Sequence, residues 1–258
     1  MSRTKIILLI VVLCRFAPPA FAAGAAVSAR AAGRETVSFK TSGGCVLEAV
    51  YQAASSGSYV FVNTHGLGSG KGEWRVLEGR LKKKGYGYLS LDLKGHGGSL
   101  RCPGGRADYK TFSAEQWAGL SADIRAAADY LKSRKVPQKR LVLCGASIGA
   151  NLSLKAAAEG LSPAGIVLLS PGLSYAGIEA GAYLESFGAI PLLMAASGDD
   201  AYAWESTGQL TARAKLRGLP AVFRAGPGGH GANMLSEARP ELLNYILDWA
   251  DKLRPRAK

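Results

Sequence analysis

The stretch at 141–158, LVLCGASIGANLSLKAAA, divides into an apolar tetrapeptide, a G-x-S-x-G pentapeptide at 145–149, and a run of small and apolar residues. The first part has the composition of a short buried strand and the last that of a helix. Between them the chain must turn sharply. That turn forces Ser147 into strained backbone geometry, and side chains at Gly145 and Gly149 would collide with neighbouring backbone. The pattern alone is weak in a chain with 33 glycines, and its plain alternative is a Gly-rich turn with an incidental serine. The strand–turn–helix setting is what gives it meaning, because it presents the Ser147 hydroxyl at the tip of the turn.

Working outward, the same alternation recurs. Residues 36–41 and 45–53 read as a hairpin around Gly43-Gly44, and 59–64 (YVFVNT) as a strand ending in a Gly-rich loop. A helix is expected over 74–84 and a strand over 88–93. A single long helix is expected over 113–134, opened by a Ser113/Gln116 capping box and carrying Trp117, Leu120, Ile124, Ala127 and Leu131 on one face. Strands follow at 166–170, 191–196 and 221–224, with helices near 204–217 and 242–253. Strands alternating with helices predict an α/β fold, a mostly parallel sheet covered on both faces with antiparallel strands at one edge. Ligands of such sheets bind at the carboxyl ends of the strands.

A serine hydroxyl needs a base to act as a nucleophile at neutral pH. The chain has three histidines, His65, His96 and His230. In the strand–elbow–helix arrangement the chain order is serine, acid, histidine, and only His230 follows Ser147. Asp199 and Asp200 lie between them, directly after the strand PLLMAA. Asp200 is preferred as the carboxylate orienting the imidazole, with the other aspartate capping the next helix. An oxyanion needs two backbone donors. Ile148 N–H is one; Leu67 N–H, in the loop after YVFVNT, is preferred for the other, with Gly66 next. His65 then orients that loop. No metal site is expected, since the histidines are dispersed and no cysteine pair has CxxC spacing. GLGSGKG at 66–72 lacks the phosphate-loop pattern, and no cofactor is expected.

Four segments in this order, NTHGLGSG, DLKGHGGS, GASIG and the Asp199/Asp200–His230 pair, make the chain resemble the α/β-hydrolase superfamily. DLKGHGGS is similar to the D-x-R-G-H-G-x-S stretch of the serine aminopeptidase S33, monoglyceride-lipase and dienelactone-hydrolase-like branches, with Lys94 in place of arginine. The resemblance implies a sheet of about eight strands and architectural roles for Asp92 and His96. It also implies hydrolysis of an ester, thioester or amide through an acyl-enzyme, with Ser147, Asp200 and His230 catalytic and Leu67 and Ile148 forming the oxyanion hole. Only 16 residues, 173–188, occupy the place where lidded relatives insert a cap, so no large cap domain is expected. Tyr175, Tyr183 and Phe187 are candidates for a small flap, and Trp74 and Trp204 for core packing or the acyl pocket.

The N-terminus has a basic start at Arg3 and Lys5, an apolar run at 6–13, and Ala20-Phe21-Ala22, which suits cleavage before Ala23. The expected organisation is a signal peptide at 1–22, a flexible leader at 23–35, the hydrolase domain at 36–253 and a basic tail at 254–258. This places the mature protein in the periplasm or outside the cell, with no stable membrane span after cleavage. Removing Arg3, Lys5 and Arg15 lowers the net charge from +13 to +10. With no nucleic-acid-binding motif, that balance fits attraction to an anionic envelope surface rather than to nucleic acid. Cys45, Cys102 and Cys144 remain, which allows one internal disulfide; Cys45–Cys102 is a candidate, and Cys144 is expected in a buried strand. The expected partner is a small-molecule acyl substrate. An acyltransferase would use the same residues, and a non-catalytic binding module would keep the fold but lose the serine, acid and histidine set. The sequence leaves the oligomeric state open.

Overall fold

The computed structural model describes residues 33–186 and 188–253. The expected signal segment, the leader as far as residue 32, Cys14, Phe187 and the 254–258 tail lie outside the described residues.

The chain opens with β1 (Glu35–Lys40) and β2 (Val46–Gln52), paired antiparallel from Glu35 opposite Tyr51 to Lys40 opposite Val46. There follow β3 (Val60–Thr64), α1 (Arg75–Lys83), β4 (Gly87–Leu91) and a short hairpin of β5 (Arg101–Cys102) and β6 (Gly105–Arg106). Next come α2 (Ala114–Ala118), α3 (Ser121–Ser133), β7 (Leu141–Ala146), α4 (Ile148–Ala158) and β8 (Gly165–Leu169). A second hairpin, β9 (Ser174–Tyr175) and β10 (Ile178–Glu179), precedes α5 (Ala180–Tyr183). The chain then forms β11 (Leu192–Ala196), α6 (Ala201–Leu216), β12 (Ala221–Ala225) and α7 (Glu241–Lys252).

The eight longer strands lie in the order β1-β2-β4-β3-β7-β8-β11-β12. Every neighbouring pair from β4 to β12 is parallel, while β2 runs antiparallel to β4. The two-residue strands β5 and β6 extend the sheet beside Val46. Strand order reverses at β3: β4 lies on one side of it and β7, β8, β11 and β12 on the other. The crevice beyond the carboxyl ends of β3 and β7 is therefore the place where such a sheet binds ligands.

Strand residues alternate between two cores. Val60, Val62, Leu141, Leu143, Ile166, Leu168, Leu192 and Met194 pack with Ile124, Leu152 and Leu210 of α3, α4 and α6. Phe61, Val142, Cys144, Val167, Leu169, Leu193 and Ala195 pack with Leu77, Leu81, Leu243 and Ile246 of α1 and α7. A strand buried on both faces has no polar side, which is why these segments read as unbroken apolar runs. Each large side chain removed from water this way stabilises the fold by roughly 1.5–3 kcal/mol.

The long helix expected over 113–134 is two helices. The Ser113 capping box is formed with Gln116 and starts α2. The chain then tightens at Gly119-Leu120, where Leu120, Ala122 and Asp123 N–H groups donate to Trp117, Gly119 and Leu120 carbonyls three residues back. Gly119 carries no side chain to resist this turn, and Trp117, Leu120 and Ile124 stay in the core across it. Cys45 and Cys102 form a disulfide across a separation of 57 residues, joining the start of β2 to β5. Cys144 is free and buried in β7. The connection from β8 to β11 contains only the β9–β10 hairpin and α5 among its described residues, with no cap domain.

Candidate active site

Ser147 stands between β7 and α4 at φ 55° and ψ −123°, a conformation that costs a non-glycine residue energy and persists only where its surroundings enforce it. The surroundings are backbone. A Cβ on Gly145 would lie 2.2 Å from the Gly149 carbonyl oxygen, and one on Gly149 would lie 2.3 Å from the Thr64 oxygen and 2.6 Å from that of His65. Ser147 N–H donates to Leu169 O at 2.8 Å. The two glycines thus let α4 dock against β7 and the end of β3, and that docking holds the serine in its turn.

His230 follows β12, and Asp200 follows β11. Asp200 Oδ2 lies 2.5 Å from Nδ1 of His230. Asp200 Oδ1 also accepts from Ala203 N–H at 3.3 Å, so Asp200 itself caps α6. This corrects the expectation that the other aspartate does so. Asp199 accepts from Gly229 N–H at 3.0 and 3.1 Å, bracing the loop that carries His230. The Gly231 N–H donates to Ser170 Oγ at 2.9 Å, tying the far side of that loop to the end of β8. Ser147 and His230 line one cavity of about 250 Å³, together with Gly66, Leu67, Glu73 and Asn233. The two residues share this cavity without a hydrogen bond between them among the described residues. A larger cavity, about 550 Å³, lies beside Ala164 and Pro191, which precede β8 and β11. It sits at the amino ends of the strands, away from Ser147 and from the crevice where these sheets bind.

The loop after β3 is fixed by its own side chains. Leu93 N–H donates to His65 Nε2 at 3.0 Å, which leaves Nδ1 carrying the proton and donating to Gly66 O at 2.7 Å. Burial pushes the His65 imidazole down to about 4, so it stays neutral. Asp92 accepts from the N–H groups of Lys71 (2.7 Å) and Gly98 (2.8 Å) and pairs with the Lys71 ammonium at 2.5 Å. Lys71 also reaches Glu48 at 2.7 Å, so the cation of GLGSGKG is taken up within the fold. His96 accepts weakly from Gly68 N–H at 3.4 Å and stacks on Tyr109 with ring centroids 4.0 Å apart.

Glu73, unremarked in the sequence, accepts from Gly66 N–H at 3.2 Å. Its carboxyl is pushed up by burial, an effect opposed by hydrogen bonds with Ser69 and Gly66. The contact occupies the Gly66 donor. Leu67 N–H has no partner among the described residues, and Ile148, as the first residue of α4, has no intrahelical acceptor. Asn151, one turn after Ser147, was also missed. Its buried amide donates to the carbonyls of Gly172 (3.0 Å) and Ile178 (2.9 Å) and accepts from Gly172 N–H at 3.2 Å. An asparagine one turn after Ser147, in a helix of mostly small and apolar residues, is the signal that could have found it. Asn151 thereby holds the β9–β10 hairpin, whose Tyr175 hydroxyl donates weakly to Ser170 O at 3.4 Å and whose ring lies edge-on to His230 with centroids 6.3 Å apart. Tyr183 packs instead under the Lys155 ammonium. Trp74 is fully buried, and Trp204 is 39% exposed against Phe223; neither lines the cavity at Ser147.

The family model for serine aminopeptidase, S33, matches residues 58–190. No curated protein matches the chain. Among solved structures, an esterase of Pyrococcus furiosus is 18% identical with a TM-score of 0.68, over 85% of this chain and 92% of its own. A thermostable carboxyl esterase of Bacillus coagulans is 12% identical with a TM-score of 0.70, over 85% and 98%. A dienelactone hydrolase of Anabaena variabilis is 17% identical with a TM-score of 0.61, over 85% and 95%. At these identities the likeness is one of fold.

Proposed function

Because the chain belongs to the serine aminopeptidase S33 family of α/β-hydrolases, we propose that it is a serine hydrolase of carboxylesterase type working through an acyl-enzyme at Ser147. The observation that carries this reading is the serine at φ 55° sharing one cavity wall with a histidine whose far nitrogen is held by Asp200.

In this reading the Asp200 contact at Nδ1 leaves Nε2 of His230 to take the Ser147 proton as the hydroxyl attacks an acyl carbon. Charge gathers on the carbonyl oxygen and is met by the N–H groups of Leu67 and Ile148. The leaving group departs with the proton from the imidazolium. Water then attacks the acyl carbon through the same histidine and frees Ser147. The cavity bounds the groups accepted beside the nucleophile, and its wall includes the Glu73 carboxyl and Asn233, so short and partly polar substituents suit it. The signal-like N-terminus and the Cys45–Cys102 disulfide support a periplasmic or extracellular place of work, where such bonds persist.

The test is hydrolysis of p-nitrophenyl acyl esters of increasing chain length by the purified protein and by Ser147→Ala. Expected is activity on short chains that disappears in the variant. Wild-type rates in Ser147→Ala would overturn the assignment.

A further inference from the structure

Four described residues other than glycine have a positive φ. Lys135 follows the end of α3, and Ala176 sits in the turn of the β9–β10 hairpin, both ordinary places for that conformation. The third is Ser147. The fourth, Ser170 at φ 49°, has no such local reason. It is fully buried and directly follows β8, the strand beside β7. Its surroundings show what the turn achieves. Leu169 O accepts from Ser147 N–H at 2.8 Å, and Ser170 Oγ accepts from Gly231 N–H at 2.9 Å. Ser170 N–H donates to Ala195 O at 2.7 Å, in the strand that leads to Asp200. Two consecutive residues thus hold the backbone of Ser147, of β11 and of the residue after His230. The approach of Gly231 is close, since a Cβ there would lie 3.2 Å from Ala146 Cβ and 3.8 Å from Ser147 N. The loop has little stiffness of its own, because Gly228, Gly229 and Gly231 all have positive φ, at 131°, 90° and 58°.

We propose that Ser170 is a positioning residue whose hydroxyl, by holding Gly231, sets the register of His230 against Ser147. The inference rests on the reading of these two residues as base and nucleophile. No hydrogen bond joins their side chains among the described residues, so their spacing is carried by backbone. The Leu169-Ser170 pair is the shortest link between the two, one carbonyl on the serine side and one hydroxyl on the histidine side. The proton of the serine passes to the imidazole only across hydrogen-bond distance, so a small drift of Gly231 slows the reaction. Ser170 lines no part of the cavity shared by Ser147 and His230, so its loss acts on turnover and leaves substrate binding alone. The strain at φ 49° fits this role, because a serine in that conformation is kept for what its side chain does there.

The experiment compares wild type, Ser170→Ala and Ser170→Gly by p-nitrophenyl acetate kinetics, by the rate of fluorophosphonate labelling of Ser147, and by thermal melts. Both variants lose the hydroxyl, but only glycine adopts φ 49° without strain. Expected is a kcat lowered roughly ten- to a hundredfold in both variants, with KM within about twofold of wild type and labelling slowed to match. Ser170→Gly is expected to melt above Ser170→Ala without regaining activity. Activity that recovers in Ser170→Gly together with its Tm, the mark of a merely structural role, would overturn the proposal. So would a kcat within about twofold of wild type in both variants, or a loss carried by KM. A wild type that takes up the label elsewhere than Ser147 would overturn the underlying reading of the nucleophile, and the proposal with it, which separates the two failures.

Discussion

Asp200 lies 2.5 Å from Nδ1 of His230, while its neighbour Asp199 accepts from the Gly229 N–H at 3.0 Å. Two adjacent carboxylates thus serve one histidine in different ways: one meets the ring, and the other holds the loop beneath it. Asp200→Asn is expected to lower kcat by about three to four orders of magnitude, since the amide no longer fixes the productive tautomer. Asp199→Asn keeps most of the activity and shows its effect as a looser loop. Steady-state kinetics of the two variants side by side decides the assignment.

Gly149 has no room for a methyl group. Its Cβ would press on the carbonyl oxygens of Thr64 and His65, which are backbone and start the loop carrying Leu67. Gly149→Ala is expected to cost about 2 kcal/mol or more, because strand and helix must separate, and to depress activity with it. Gly208, inside α6 with nothing within 4 Å, is the control. Gly208→Ala should stabilise the protein by roughly 0.5–1 kcal/mol. Denaturant melts of both variants check the pair, and equal effects would refute the steric account.

The pH dependence of stability has a defined sign at His65. Its folded value, about 4, lies below the ordinary 6.5 because the ring is buried, with neighbouring His96 and Lys71 adding in the same direction. Between those values the unfolded chain binds a proton that the folded chain refuses. The contribution is therefore intact above pH 6.5 and is lost as the pH falls toward 4, on the order of 3 kcal/mol in all. Asp123 has the opposite slope. Buried and accepting from Lys94 N–H at 2.7 Å, it is pushed up to about 7, and its contribution fades as pH rises through that value. Comparing Tm against pH for the wild type and His65→Asn isolates the histidine: the variant is expected to be less stable at pH 7 but to lose less on acidification.

The disulfide between Cys45 and Cys102 spans 57 residues that include β3, the Leu67 loop and the Asp92 turn. Restricting an unfolded loop of that length is worth about 4 kcal/mol in the chain-entropy picture. Cys45→Ala/Cys102→Ala is expected to unfold at markedly lower denaturant concentration. Reduction of the wild type should reproduce the shift, and reduction of the double variant should change nothing.

Much of the framework was legible in the sequence because its cause is local. The strands at 60–64, 141–146 and 192–196 bury both faces, and composition alone displays that. The turn at Ser147 is written in two glycines, and the choice of His230 follows from there being one histidine after the serine. What was hidden depends on side chains that reach across the chain. The break at Gly119 keeps the apolar spacing on either side, so periodicity passes over it. Glu73 and Asn151 look like ordinary helix residues until their partners, Gly66 in one case and Gly172 and Ile178 in the other, are seen beside them. The separate tasks of Asp199 and Asp200 depend on a loop 30 residues away.

The backbone at Ser147 is a tertiary property. Gly145 and Gly149 permit the turn, but the φ of 55° at the serine lasts only while α4 packs on the carbonyls of Thr64 and His65 and while Leu169 accepts from the Ser147 N–H. A chain that has formed its helices and strands but has not yet assembled β3, β7 and β8 side by side has no such serine. The strained turn therefore belongs to the assembled sheet alone, and a reagent that labels Ser147 would count finished molecules rather than merely collapsed ones.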